Sequence, residues 1–337
     1  MSTTTPTPTP PTGRRVFRRL AGAAAAIALT AGIAACGSGG SGGAAPDTLT
    51  LGFAQVGAES GWRTANTASI QESAKQAGIE LQFSDGQQKQ ENQIKAIRSF
   101  IQQQVDVIAF SPVVETGWDT VLQEAKRARI PVVLTDRSID SADPSLVKSF
   151  IGSDFVKEGE KAGEWLVKDS AGRPEVNVVE LQGTTGAAPA IDRTEGFKQA
   201  TAGTPAIKVV ASQTGDFTRS GGKQVMEAFL KSQPKIDVVY AQNDDMALGA
   251  IEAITAAGKV PGKDITIISV DATKDGMQAT ADGKINYMVE CNPLLGGQLM
   301  DMVKKVAAGE QVPARVEVTE TTFDQAQAAA VLAERKY

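Results

Sequence analysis

The sequence predicts an α/β protein built as two doubly wound, Rossmann-like lobes. Three observations point there. Short apolar runs alternate serially with amphipathic stretches, most of the runs are near-continuous in Val, Ile, Leu and Phe, and the 337 residues are enough for about two domains. Apolar runs without polar alternation suit parallel strands covered by helices on both faces. Strand then helix, repeated with short connections, is the doubly wound pattern.

The elements follow in chain order. Runs at 49–55, 79–84, 105–110, 131–135 and 147–151 form a first series of strands, and 176–181, 208–212, 237–241, 265–270 and 285–289 form a second. Stretches at 65–76, 92–103, 120–129, 157–168 and 220–231 read as helices, with inward stripes such as Ile94/Ile97/Ile101 and Val121/Leu122/Ala125. Asp154 is positioned to cap the helix starting near Phe155. Before the helix at 246–257, Asp244 or Asp245 takes the cap and leaves Asn243 for a ligand. Ten strands are too many for one compact sheet and suit two sheets of five. The change of series at 150–155 marks a passage between lobes.

The first 46 residues read as an address and a tether. A Ser/Thr/Pro stretch leads to Arg14-Arg15-Val16-Phe17-Arg18-Arg19 and then to an apolar run from Leu20 to Ala35, a cationic-then-apolar export signal at 1–35. The Arg14-Arg15 pair fits either a twin-arginine signal or an Arg-rich general secretory one. Ile33-Ala34-Ala35-Cys36, followed by a Gly/Ser run, resembles a bacterial lipobox, so Cys36 is expected to carry lipid and 36–46 to be a flexible tether. The other cysteine, Cys291, then lacks a disulfide partner.

Composition excludes much chemistry. The chain has no histidine and two cysteines, which rules out Ser-His-Asp and Cys-His nucleophile sites, histidine-ligated metals, thiolate zinc sites and iron–sulfur clusters. No metal or cofactor is expected. The net charge of −5 becomes −9 without the four arginines of the export signal, which disfavours nucleic acid as a partner.

Ligands of open α/β sheets bind beyond the carboxyl ends of the strands. Those ends carry Gln55, Asp85, Asp136-Arg137, Asp154, Asn243-Asp244, Asp271 and Glu290, while Arg63 and Arg193 lie near the starts of following helices. Carboxylates and guanidinium groups together suit a polyhydroxylated ligand, because each hydroxyl can donate to one and accept from the other. Trp62 supplies an aromatic face for a sugar ring. Trp118 is either a second such face or a core staple for the helix from Thr120, and Trp165 reads as core.

Four segments carry a family resemblance. Pro131–Arg137, Gly183–Arg193, Ala241–Gly249 and Ile268–Asp271 resemble the type I periplasmic sugar-binding family, which includes the ribose-binding proteins. The resemblance spans about residues 48–325. It implies lobes of 47–150 plus about 291–319 and 151–290 plus about 320–337, joined by a multi-strand hinge. It also implies sugar contacts at Asp136, Arg137, Arg193, Asn243 and Asp271. Gln55–Arg63, Asp85–Gln93, Pro112–Trp118 and Gly215–Ser220 resemble the galactofuranose-binding branch, which adds Trp62 and Arg63. Glu290 stands where ribose binders have a glutamine nearby. The implied role is that of a monomeric, lipid-anchored solute-binding protein of an ABC sugar importer, with membrane permease subunits as partners and a furanose as ligand. Ribose or another sugar, taken up or sensed, is the alternative within the family. A glycosidase using Asp136 and Asp271 is the rival outside it. A transcription-factor effector domain is disfavoured, since the export signal stands where its DNA-binding module would be.

Overall fold

The computed structural model describes residues 48–337. The expected export signal, lipid-bearing Cys36 and tether fall outside the described residues. Two six-stranded sheets organise the chain. The first is made of β1 (Thr50–Gln55), β2 (Glu80–Asp85), β3 (Val107–Phe110), β4 (Val132–Thr135), β5 (Ser149–Gly152) and β11 (Arg315–Glu317), in the order β11-β5-β4-β3-β1-β2. The second holds β6 (Val176–Gln182), β7 (Ile207–Thr214), β8 (Val238–Ala241), β9 (Thr266–Asp271), β10 (Tyr287–Glu290) and β12 (Thr322–Phe323), in the order β12-β10-β9-β8-β6-β7. Every pairing is parallel except that of β10 with β12.

The two sheets of five expected from the sequence are thus two sheets of six. The additions, β11 and β12, are three and two residues long and lack an apolar run. They form because the chain, after β10, returns to the edge of each sheet in turn.

Helices α1 (Gly61–Ala77), α2 (Gln90–Gln103), α3 (Asp119–Arg127) and α9 (Gly296–Ala307) cover the first sheet. Its core runs through Leu51, Phe53, Ile70, Ile97, Phe110 and Leu299, all buried. Around the second sheet lie α4 (Phe155–Asp169), α5 (Ala188–Thr201), α6 (Arg219–Ser232), α7 (Asp244–Ala256), α8 (Lys274–Ala281) and α10 (Gln325–Val331). Polar caps fix where helices begin. Ser60 accepts from the Arg63 amide and Asp154 from that of Lys157.

Three segments pass between the sheets: β5 to α4, β10 to α9, and β11 to β12. Trp118 proves to be the staple. It is buried against Phe110 with ring centroids 4.8 Å apart, and its indole N–H donates to the Val114 carbonyl. Trp165 is not core. Its half-buried ring stacks on Tyr287 at 5.0 Å on the surface of the second lobe.

Candidate functional site

A narrow cavity opens between the lobes at the carboxyl ends of both sheets. From the first lobe it is lined by Glu59, Ser60, Trp62, Arg63, Asp136 and Arg137; from the second by Phe155, Pro189, Arg193, Phe217, Asn243 and Asp271; and by Cys291 on a crossing segment. Seven of the eight residues expected to meet a ligand therefore line one cavity.

Arg63, on the first turn of α1, organises its side. Its guanidinium is 2.7 Å from the Asp136 carboxylate, donates to Glu59 at 3.0 Å and donates to the Gln55 side chain at 3.2 Å. Burial pulls the Arg63 pKa down, but Asp136 and Glu59 together overcome it and hold it above the ordinary guanidinium value. Asp136 follows β4 with φ of 66°, in the left-handed region, and also accepts from the Ser111 hydroxyl at 2.8 Å.

Arg137 is held quite differently. It donates once, to the Val113 carbonyl at 3.2 Å, and lies 3.7 Å and 3.8 Å from the Glu59 and Asp136 carboxylates. Its Nε and the Glu59 Oε2 are buried without a hydrogen-bond partner among the described residues. Burial, then the neighbouring Arg63 charge, pushes Arg137 down to about 10. A buried donor and a buried acceptor left open on one cavity wall are what a hydroxyl group can satisfy at once.

On the facing wall Arg193, from α5, donates to Glu158 at 2.6 Å and to the Gln242 carbonyl at 2.6 Å, with Asp271 3.7 Å away. Burial lowers its pKa, and Glu158 foremost, with Asp271, more than restores it. Two glycines create this pairing by letting α4 and α5 touch backbone to backbone. A Cβ on Gly159 would stand 2.2 Å from the Arg193 carbonyl, and one on Gly196 would stand 2.0 Å from that of Val156. Asp271 ends β9 at φ of 112°, so the aspartate of each wall sits in a backbone conformation that side chains rarely adopt. Burial pushes its carboxyl well above the usual range against the pull of Arg193, and Asp244 adds to the rise.

Two expectations need correcting. Glu290 is not at the cavity. Its carboxylate pairs with Arg335 at 2.8 Å and accepts from the Tyr337 hydroxyl and the Thr321 amide, because the C-terminal segment folds back over the end of β10. Asn243, rather than Asp244 or Asp245, is the cap of α7. It accepts from the Met246 amide while its own amide donates to the Phe217 carbonyl, so both ends of the side chain are committed to backbone. Asp244 instead accepts from Ser269 and Thr273 in the interior. Asp245 reaches across the lobes to accept from the Gly61 amide at 2.8 Å.

The sequence reading missed Glu59, Glu158, Phe155 and Phe217. Glu59 could have been found by its spacing of four from Arg63, which brings the two side chains together. Aromatic faces surround the arginines: Arg63 lies over Trp62 at 4.7 Å, Arg193 over Phe155 at 5.1 Å, and Arg137, across the lobes, over Phe217 at 5.3 Å. The Trp62 indole N–H donates to the Cys291 carbonyl at 2.7 Å, which fixes the plane of its ring. Direct contacts at the rim, such as the Glu115 amide to the Gly186 carbonyl at 2.9 Å, mark the lobes as closed on one another.

Known proteins resemble this chain. The family profile described as periplasmic binding protein domain matches residues 51–311. The galactofuranose-binding protein YtfQ of Escherichia coli K12 is 51% identical over 278 residues, which cover 82% of this chain and 87% of that protein. A solved structure from Mycobacterium smegmatis in complex with beta-D-fucofuranose is 67% identical with a TM-score of 0.85, covering 86% of this chain and 96% of that one. The binding component of the arabinose ABC transporter from Shewanella sp. ANA-3, bound to alpha and beta-L-arabinofuranose, is 51% identical with a TM-score of 0.82 and the same two coverages. With two parallel α/β lobes, three crossings and these matches along nearly the whole described length, the chain belongs to the periplasmic binding protein family.

Proposed function

We propose that this protein captures a monosaccharide in the furanose form and delivers it to the permease of an ABC importer, from an anchor on the outer side of the cytoplasmic membrane provided by lipid on Cys36. The observation that carries the sugar reading is the cavity. Arg63, Asp136 and Arg137 face Arg193, Asn243 and Asp271 across it, with an open donor on Arg137 and an open acceptor on Glu59. Fixed charges of both signs strengthen hydrogen bonds to hydroxyl groups, and Trp62, Phe155 and Phe217 offer faces for the C–H side of a ring. The furanose form is supported by the three relatives above, whose sugars are galactofuranose, fucofuranose and arabinofuranose. A ligand bonded to both lobes stabilises the closed state by its differential affinity, and that closed state is the form a permease can distinguish from the empty one.

No step in this reading breaks a bond. Asp136, which a hydrolytic mechanism would need free, is tied to Arg63 and Ser111.

The test is calorimetric titration with D-galactose, D-fucose and L-arabinose, with the bound ring form read by NMR of sugar labelled at the anomeric carbon. The expected result is affinity in the micromolar range or tighter, about −8 kcal/mol or more, with a furanose resonance in the bound state. Binding of pyranose forms alone would refute the furanose assignment, and no binding of any of them would refute the sugar reading for these ligands.

A further inference from the structure

The three crossing segments meet in a cluster of side chains behind Arg193. Ser153 lies on the first crossing, Cys291 and Asn292 on the second, and Glu320 on the third. The Ser153 hydroxyl and the Asn292 amide both donate to Glu320 Oε1, and the Ser153 oxygen is 3.6 Å from the Cys291 sulfur. Glu158 joins them from α4, so that Glu158, Cys291 and Glu320 place one polar atom each within 4.8 Å of one another. Glu158 is wholly buried. Its Oε2 takes the Arg193 bond, and its Oε1 has no hydrogen-bond partner among the described residues.

An orphaned carboxylate oxygen beside a second carboxyl group needs a proton donor, because two like charges at that separation in a buried site are costly. We propose that a proton held by Glu320 bridges it to Glu158 Oε1, and that Glu158 and Glu320 together are the positioning pair that aims Arg193 into the sugar cavity. Burial, and then the Glu158 charge, pushes the Glu320 carboxyl up to about 9, which agrees with a proton held at neutral pH. Glu320 also lines two surface clefts, one with Trp165 and Tyr287 and one with Asp154 and Glu317, so its proton can exchange with solvent.

The cluster is built on the crossings that absorb lobe rotation, and the raised pKa belongs to the closed lobes. When the lobes part, Glu320 returns toward the ordinary carboxylate value and releases its proton. Closing on a ligand therefore takes up a proton at any pH between that ordinary value and about 9, and affinity falls as pH rises through that window. The other charged groups facing the pair are Arg193 from α5, Asp271 from the end of β9, Lys161 on α4, which donates to the Glu320 carbonyl, and Arg315 on β11, which donates to the Ser153 carbonyl. The Cys291 thiol, raised by burial and then by Glu158, stays protonated throughout. Lys157 is turned outward to Asp154 and Glu317. The Arg193 guanidinium, 2.6 Å from Glu158, opposes a metal cation in the same place.

The proposal rests on the sugar reading above, and the experiment separates the two. D-fucose is titrated at pH 6, 7.5 and 9 in buffers of different ionisation enthalpy, with wild type, Glu320→Gln and Glu158→Gln. Wild type is expected to take up close to one proton per sugar at pH 7.5 and to lose affinity by several-fold per pH unit, with a ceiling of about tenfold for one proton. Glu320→Gln, whose amide can still donate to Glu158, should take up no proton and show a flat profile. Glu158→Gln should lose the proton uptake and bind at least about tenfold more weakly, since its bond to Arg193 loses the charge on the acceptor. Equal proton uptake in wild type and Glu320→Gln, or none in wild type, overturns the pair and leaves sugar binding intact. Absence of binding at every pH overturns both. A rise in melting temperature on adding zinc ion alone, lost in Glu158→Gln, would make the cluster a metal site and overturn the proton bridge.

Discussion

Arg63 and Arg137 line the same wall, carry the same charge and are both buried, yet their replacement should move stability in opposite directions. Arg137 makes one hydrogen bond, leaves its Nε unpaired and sits beside a second guanidinium, and its pKa is pushed down to about 10. At 1.36 kcal/mol per pKa unit, the folded state of the sugar-free protein bears a penalty of about 3 kcal/mol for keeping that charge. The sign follows from the direction. A depressed cation destabilises the fold at all pH values below its folded pKa, and relief begins only above about pH 10. Arg137→Met removes the penalty and leaves the Val113 carbonyl unpaired at a cost of about 1–2 kcal/mol, for a net gain of about 1–2 kcal/mol. The same change deletes the open donor, and a hydrogen bond from a charged group contributes about 1.5–3 kcal/mol, so sugar affinity should fall by about 10- to 150-fold. Arg63→Met is the contrast. It strands Glu59 and Asp136 without their closest cation and should destabilise the protein by about 3–5 kcal/mol. Urea denaturation of the sugar-free proteins measures the first effect and calorimetry the second. If Arg137→Met lost stability as Arg63→Met does, or kept its affinity, the view of Arg137 as a charge held ready for a ligand would be wrong.

Three further outcomes follow from the geometry. Gly196→Ala puts a methyl group against the Val156 carbonyl, where a Cβ would lie at 2.0 Å, so it should cost about 1–3 kcal/mol in urea denaturation and weaken binding by shifting Arg193 from Glu158. Asp245→Ala removes the acceptor for the Gly61 amide and no cavity-lining residue, so affinity should drop by about 2- to 12-fold, the effect of one hydrogen bond of 0.5–1.5 kcal/mol, seen in stopped-flow experiments as faster sugar release. Glu290→Gln should leave sugar affinity within about twofold while lowering stability by about 1–3 kcal/mol, because the half-buried Arg335 loses its carboxylate; a loss of affinity there would return Glu290 to the site.

The two-sheet fold and the gathering of seven of the eight candidate residues at one cavity were legible because both depend on local pattern. Buried parallel strands announce themselves by unbroken apolar runs, and the residue after each run is carried to one edge of the sheet whatever its role, so Asp136, Arg137, Asn243 and Asp271 converge without any long-range information. The failures come from segments whose fate is set by distant partners. Glu290 also ends a strand, but Arg335 and Tyr337 come back over it from the chain terminus and claim its carboxylate, and no pattern near residue 290 signals that return. Strands β11 and β12 exist only because a sheet edge is available to each. Glu158 has the spacing of an ordinary acid in the first turn of a helix, where acids are favoured by the helix dipole and need no further reason.

The distinction between Glu158 and Glu290 shows what decides a polar residue's role in this fold. Both are glutamates near the crossings and both hold an arginine, at 2.6 Å and 2.8 Å. Arg335 belongs to the last turns of the chain and spends its other donors on the Ala272 carbonyl and the Tyr337 hydroxyl, so its pair with Glu290 closes a surface seam. Arg193 spends one donor on Glu158 and one on the Gln242 carbonyl, and its remaining nitrogen stands 3.7 Å from Asp271 at the cavity wall, too far for a strong hydrogen bond. A ligand oxygen between Arg193 and Asp271 would shorten nothing in the protein and still complete both groups. Incomplete bonding at Arg137, Glu59, Arg193 and Asp271, beside the tightly paired Arg63 and Asp136, is the physical mark that separates this cavity from the ion pairs that merely hold the lobes in shape.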